Sequence, residues 1–207
     1  MKTITDIKPQ IKTPTRCNIY LDNVFYIGLE LETVMRNHLK IGMQIEPSAL
    51  DQIQSESEII RAFDKALSFI SISKKTKKQV RQHLEKKGYT QITIDAVIEK
   101  MQNYSFVDDG EYAEDYARSY SKNKGKLLIA RELRQKGVSE EDMSVALENI
   151  GDETDSAVKI AEKYLKNKQK DKQNILKCYK YLLSKGFSYD TAKTAVERIG
   201  TNEDDLF

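Results

Sequence analysis

Three stretches of this 207-residue chain, Leu84–Met101, Leu133–Ile150 and Leu182–Ile199, follow one pattern, and their glycines, Gly88, Gly137 and Gly186, stand 49 residues apart. A period of that length means one helical unit used three times. The chain is therefore expected to form an elongated repeat protein rather than a ball around a central pocket. Such a form suits gripping a partner better than catalysis.

Each copy spells a helix-stop, helix-start corner. A leucine lies four residues before the glycine (Leu84, Leu133, Leu182) and a lysine one before it (Lys87, Lys136, Lys185). An apolar residue follows (Tyr89, Val138, Phe187), then a hydroxyl (Thr90, Ser139, Ser188). Glycine takes the left-handed conformation that ends a helix without a Cβ clash, and the next residue then packs on the one four before the glycine, the leucine. The lysine complements the helix C-terminus, and the hydroxyl suits the N-cap of the next helix. That helix carries a buried stripe at i, i+3, i+4, i+7: Ile94, Val97, Ile98, Met101; then Met143, Ala146, Leu147, Ile150; then Ala192, Ala195, Val196, Ile199. Glu99, Glu148 and Glu197 fall off the stripe and are read as solvated. Leading helices precede each corner, with Phe63 and Leu67 aligned on Tyr112 and Tyr116. The architecture expected is mainly α, three tandem three-helix repeats with a small N-terminal β-hairpin module.

The hairpin is read at Asn18–Leu21 and Val24–Gly28 around Asp22-Asn23, with Ile4–Ile11 as a third strand ended by Pro9 and Pro14. Glu30–Leu39 reads as a short helix, Ile41–Ile45 as a strand or loop, and Ser48–Gln54 as a connecting helix or linker. The expected divisions are a β-rich module over 1–54, repeats over 55–101, 102–151 and 152–199, and a disordered acidic tail over 200–207. The polar run Asn167–Gln173 is a joint within the third repeat.

No apolar run approaches the ~20 residues that span a bilayer, and the first residues lack the apolar core of a signal peptide. Cys17 and Cys178 are the only cysteines, and Cys178 aligns with Val80 and Ile129 as a small core residue. A cytoplasmic protein is expected. The chain carries no G-x-x-x-x-G-K-[ST] and no G-x-G-x-x-G. His38 and His83, its only histidines, have no ligand-spaced companions. The cluster Asp108-Asp109-Gly110-Glu111 is explained by helix capping. No catalytic, metal or cofactor residues are expected, and the chain is expected to act as a non-enzymatic monomer.

The net charge is only +2, but its sign is segregated. Lys74, Lys75, Lys77, Lys78 and Arg81 crowd one helix. Lys122, Lys124, Lys126, Arg131, Arg134 and Lys136 crowd the next repeat, and Lys166, Lys168, Lys170, Lys172 and Lys177 the third. A charge-rich helix face is often only solvated, yet one-signed clusters that recur with the repeat match a ligand of repeating negative charge: DNA phosphates or a filament of acidic subunits. The candidate contacts are Lys74, Lys75, Lys78, Arg81, Lys122, Lys124, Lys126, Arg131, Arg134 and Lys177. Among the eleven tyrosines, the spacing of Tyr112, Tyr116 and Tyr120 favours core placement over platforms for nucleic-acid bases.

The run Phe106-Val107-Asp108-Asp109-Gly110-Glu111-Tyr112-Ala113, followed by Arg131-Glu132-Leu133-Arg134-Gln135-Lys136-Gly137-Val138-Ser139 and by Leu182-Leu183-Ser184-Lys185-Gly186-Phe187-Ser188-Tyr189, resembles the regulatory protein RecX family. The resemblance covers about Arg61–Ile199, and Asn18–Gly28 is similar to the N-terminal extension of Gram-positive members. Leu127 and Leu128 stand where the family often carries Pro and more Arg. The resemblance implies tandem three-helix repeats that bind the RecA recombinase filament and restrain it, with weaker affinity for single- or double-stranded DNA, no catalysis and no membrane partner.

Overall fold

The structure is a computed structural model and describes residues 1–200. The expected tail lies, from residue 201 on, outside the described residues. The chain divides into two compact units. One comprises Met1–Phe69 with His83–Met101; the other comprises Ile70–Gln82 with the chain from Gln102 on.

The first unit begins with strands β1 (Lys2–Pro9), β2 (Arg16–Leu21) and β3 (Val24–Glu30), helix α1 (Leu31–Arg36) and the two-residue strand β4 (Gln44–Ile45). The sheet is antiparallel in the order β3-β2-β1-β4. Asp22 and Asn23 both adopt positive φ, 49° and 67°, as a two-residue hairpin turn requires for its twist to match the strands. Alternation along β2 buries Cys17, Ile19 and Leu21, which pack with Ile4, Leu29 and Leu50.

Helix α2 runs from Pro47 to Ile70, so the division expected between residues 54 and 55 falls inside one helix. Pro47 has the fixed φ that suits a first helical turn, and no glycine or proline follows it until Gly88. Nothing in Ser48–Gln54 breaks the helix.

Helices α3 (Lys77–Lys86), α4 (Gln91–Asn103), α5 (Asp109–Tyr120), α6 (Lys126–Gln135), α7 (Glu140–Glu148), α8 (Thr154–Leu165), α9 (Lys172–Ser184) and α10 (Tyr189–Gly200) complete three helix triplets. All three corners form as read. Gly88, Gly137 and Gly186 have φ of +86°, +85° and +86°. The amide of the following residue donates back to the leucine carbonyl: Tyr89 to Leu84 at 3.3 Å, Val138 to Leu133 at 3.2 Å, Phe187 to Leu182 at 3.3 Å. Each glycine amide donates to the carbonyl three residues earlier, which completes a Schellman motif. Thr90, Ser139 and Ser188 then cap α4, α7 and α10 by accepting from Thr93, Asp142 and Thr191.

In the second unit one apolar cluster centres on Ala113, Ala117, Ile129, Leu133, Met143 and Ala146. Another centres on Ala157, Ala161, Ile175, Cys178, Leu182, Phe187 and Val196. Burial pushes the Cys178 thiol up to about 11. The tyrosine expectation is corrected here. Ala113 and Ala117 take the inner face of α5, Tyr112 and Tyr116 pack against the edge of the cluster, and Tyr120 is exposed. Small residues at the helix contact let backbones close in, leaving the rings at the rim.

Candidate functional site

The candidate site sits at joints between successive repeats within the second unit. The start of α6 docks on the corner that ends α9. Gly125 N–H donates to Lys185 O at 2.9 Å, and Leu127 N–H to Gly186 O at 3.1 Å. Lys126 N–H donates to the buried Glu153 carboxylate at 2.7 Å. The first amides of one helix and the last carbonyls of another, which helix geometry leaves without partners, thus satisfy each other. Only glycine fits at 125, because a Cβ there would lie 2.2 Å from Gly186 O.

The start of α3 makes the same joint to the corner after α6, with a side chain as spacer. Thr76, aligned with Gly125, donates its hydroxyl to Lys136 O at 2.6 Å. It also forms a capping box with Gln79: Gln79 N–H donates to Thr76 Oγ1 at 3.3 Å, and Thr76 N–H to Gln79 Oε1 at 3.0 Å. Lys77 N–H donates to Asp109 at 2.8 Å, the counterpart of Lys126 to Glu153. The acidic cluster therefore does cap helices, as read, but in two directions: Asp108 caps its own helix through Glu111 N–H at 2.9 Å, whereas Asp109 caps α3. Burial raises the Asp109 carboxyl above its ordinary value, against the opposing pull of the Lys77 amide and ammonium.

A cleft opens beside each joint. The first, about 390 Å³, is lined by Lys78, Gln79, Gln82, Tyr116, Glu132, Gln135 and Lys136. Tyr112 and Tyr116 stack at 6.0 Å between centroids, and Tyr116 and Tyr120 approach to 4.4 Å. The Lys124 ammonium lies 4.3 Å from the Tyr120 centroid and that of Lys136 lies 5.3 Å from Tyr116. Glu132 ties these groups together, accepting from Tyr116 Oη at 2.8 Å and Lys124 Nζ at 2.7 Å. Burial works against its ionisation, but Lys124, Tyr116 and Lys136 hold its carboxyl below the usual range. Burial and then Glu132 push the Tyr116 hydroxyl far upward, so it remains a donor at any physiological pH.

The second cleft, about 440 Å³, is lined by Asn123, Ile160, Lys163, Tyr164, Tyr181 and Lys185. Tyr164 and Tyr181 stack at 4.8 Å, with Lys168 3.2 Å from the Tyr164 centroid and Lys185 5.2 Å from that of Tyr181. Lys136 and Lys185 are the corner lysines of consecutive repeats. Both clefts thus present lysines on tyrosine faces, a combination suited to anionic and flat or apolar ligand groups.

Several of the ten basic candidates already hold partners within the chain. Lys74 bridges Glu111 and Asp115 at 2.6 Å each, Lys124 pairs with Glu132, and Arg134 grips Glu140 through two bonds of 2.6 and 2.9 Å. Lys75 bonds Ser73, Lys78 donates to Gln135 O at 3.1 Å, and Arg81 is half-buried on α3. The Lys126 side chain is half-buried, while Lys122, Arg131 and Lys177 are exposed. Leu84, Leu133 and Leu182 are fully buried behind their corners. Sequence reasoning passed over Tyr116, Glu132, Tyr164, Tyr181 and Lys185 as site residues. The lysine preceding each glycine is the available signal; in the sequence all three read as helix-end charges, and Lys136 alone falls in a basic cluster as well.

Four family models match the chain in order: Regulatory protein RecX N-terminal domain over residues 2–46, then the first, second and third three-helix domains of RecX over 62–101, 108–147 and 152–196. The chain belongs to the RecX family of regulatory proteins. Regulatory protein RecX of Clostridium perfringens (strain 13 / Type A) is 34% identical over 209 residues, covering 98% of this chain and 99% of the relative. The protein of that name from Bacillus subtilis (strain 168) is 32% identical over 211 residues, covering 99% of this chain and 80% of its own. The solved structure of regulatory protein RecX, 23% identical, shares the fold with a TM-score of 0.68 over 95% of this chain and 100% of that one. RecX from Lactobacillus salivarius, 27% identical, gives 0.65 over 70% of this chain and 97% of that one. As in the RecX family models, three three-helix domains follow a small strand module. Among the described residues no helix is long and apolar enough to cross a membrane.

Proposed function

We propose that this protein binds the RecA recombinase filament and restrains its strand exchange and ATP hydrolysis. Membership of the RecX family across all four parts of the chain carries the reading. The two lysine–tyrosine clefts support it as contact sites, together with exposed Lys122, Arg131 and Lys177. Two clefts on one chain engage a repeating partner at more than one point, and linked contacts raise avidity through effective concentration.

The decisive experiment is ATP hydrolysis by preformed RecA filaments on single-stranded DNA, with the natural chain and with the double variant Lys136→Glu, Lys185→Glu. Inhibition by the natural chain and at least a tenfold loss of potency in the variant are expected. No inhibition by the natural chain would remove the RecA reading.

A second reading, DNA binding through phosphates alone, is favoured by the exposed cations Lys122, Arg131 and Lys177. Counterion release would make such binding fall steeply with salt, whereas a protein contact with an apolar centre persists. Salt titration of binding separates the two.

A further inference from the structure

The two clefts share a frame and differ at its centre. In the leading helices and just beyond them, Ala113, Ala117, Tyr120 and Lys124 recur 44 residues on as Ala157, Ala161, Tyr164 and Lys168. The alanines are buried in both copies, and in both the lysine ammonium rests on the tyrosine ring. In the corner helices the offset is 49, which carries Lys136 to Lys185 and Glu132 to Tyr181. The five extra residues fall between Lys168 and Tyr181, so both clefts keep the same pair of lysines although the spacing along the chain differs.

What lies between the lysines is not the same. In the first cleft Glu132 accepts from Lys124 at 2.7 Å and from Tyr116 at 2.8 Å, and Lys136 adds its attraction. Together they keep the carboxyl ionised against the cost of burial. In the second cleft a ring, Tyr181, stands at the position of Glu132, and Ile160 at that of Tyr116. No carboxylate lines this cleft, and Lys163 adds a third ammonium. Among the described residues neither Lys168 nor Lys185 forms an ion pair. A cleft lined by one sign of charge concentrates its field on an incoming ion of the other sign. The tyrosine rings and Ile160 supply apolar walls for the stem that carries that ion.

We propose that the second cleft binds the carboxylate of an acidic side chain on a partner protein, held by Lys168 and Lys185 as Lys124 and Lys136 hold Glu132. This rests on the reading of the clefts as contact sites and gives them unequal parts. The first cleft carries its own carboxylate and offers its ring faces only. The second lacks one and takes it from the partner. Glu132 shows the class of ligand: the same two lysines, beside tyrosine, already hold a carboxylate within this chain.

The test uses the full chain with its tyrosine rings labelled for NMR and N-acetylglutamate amide as the probe, at low ionic strength where ionic contacts are least screened. The Tyr164 and Tyr181 signals should shift saturably while Tyr116 stays still, and N-acetylglutamine amide should move none of them. Tyr181→Glu puts a carboxylate where the first cleft has one and should weaken probe binding by about tenfold or more, the worth of one charge-assisted hydrogen bond. Lys168→Gln with Lys185→Gln should do the same, so the result does not hang on one variant folding. Glu132→Ala should have the opposite effect, making Tyr116 respond to the probe. An equal response to the glutamine analogue, a Tyr116 shift in the natural chain matching that of Tyr181, or no saturable shift overturns the inference. Tighter binding of methyl phosphate than of the glutamate probe assigns the cleft to a nucleic-acid backbone and equally overturns it. Inhibition of RecA filaments without probe binding sinks this inference alone; probe binding without inhibition upholds it and sinks the RecA assignment.

Discussion

The three corner glycines share one conformation but not one environment, so a single substitution at each should separate backbone strain from packing. Alanine at left-handed φ costs about 1–2 kcal/mol, partly offset by about 0.4–1 kcal/mol from the less flexible unfolded chain. A Cβ on Gly88 meets nothing within 4 Å, so Gly88→Ala should cost only the difference, about 1 kcal/mol. A Cβ on Gly186 would lie 2.3 Å from Leu128 Cβ and 2.4 Å from Leu128 N, firm parts of α6 at the joint. Overpacking of that kind adds about 1–3 kcal/mol, so Gly186→Ala should cost about 2–4 kcal/mol. Gly137→Ala should fall between, since its Cβ would meet the Lys78 stem at 2.5–3.1 Å, where only the outer carbons can swing away. Urea unfolding followed by far-ultraviolet circular dichroism measures this. With a slope of about 2 kcal/mol per molar, the midpoint should move by about 0.5 M for Gly88→Ala and by 1–2 M for Gly186→Ala. Equal shifts at the two sites would refute the close approach of α6 to the α9 corner. Gly125→Ala tests the same contact from the other side. Its Cβ would strike Gly186 O at 2.2 Å without any φ strain, and combined with Gly186→Ala it should cost less than the sum of the two.

Asp109→Ala should cost about 1–3 kcal/mol by orphaning the Lys77 amide, while Asp109→Asn, which still accepts, should be nearly neutral at pH 7 in thermal unfolding. Because burial raises the folded-state value of Asp109, its folded form holds a proton more tightly than its unfolded form. The stability of the natural chain relative to Asp109→Asn should therefore be greatest below about pH 4 and fall as pH rises through the folded value; a difference that grew with pH would refute this. Tyr116→Phe removes the hydroxyl bond to Glu132 and should cost about 1 kcal/mol in urea unfolding. Reversing exposed Lys122, Arg131 and Lys177 to glutamate should leave the unfolding midpoint within about 0.5 kcal/mol of the natural chain and weaken binding to RecA filaments in a pull-down. Lys74→Glu instead faces Glu111 and Asp115 across 2.6 Å ion pairs and should lower the midpoint.

What the sequence made legible is what lies close along it. A glycine, a leucine four residues back and a hydroxyl two residues on spell the whole corner, because helix termination is a local affair of φ and unpaired backbone groups. Asp22-Asn23 announced its hairpin for the same reason. The site was less legible because its bonds are long-range: Lys77 meets Asp109 32 residues on, Lys126 meets Glu153 after 27, and Lys74 reaches Glu111 and Asp115 after 37 and 41. A list of lysines cannot show which of them already hold a carboxylate. The tyrosines mislead for a geometric reason: Tyr112, Tyr116 and Tyr120 are spaced like a core stripe, yet Ala113 and Ala117 one step along share the same period, and periodicity alone does not say which row faces inward.

The corner lysines connect the fold to the proposed contacts. Lys136 gives its carbonyl to Thr76 in one joint and lays its ammonium over Tyr116; Lys185 gives its carbonyl to Gly125 in the next and lays its ammonium over Tyr181. One residue thus builds the joint with its backbone and furnishes the cleft with its side chain, so the cleft cations stand at positions fixed by the helix docking. The joint is also directional, because amides at a helix start meet carbonyls at a helix end. It is made twice. At the third chance the start of α9 closes on itself, with Asp171 accepting from Asn174 N–H at 2.8 Å, and at the first corner Gly88 faces open space. A change that loosens a joint should therefore weaken partner binding without touching a contact residue. Gly125→Ala serves as the test: its loss of inhibitory potency at temperatures where it stays folded should match that of Lys185→Glu more closely than that of Gly88→Ala, and an inhibition curve unchanged from the natural chain would disconnect the joint from the cleft.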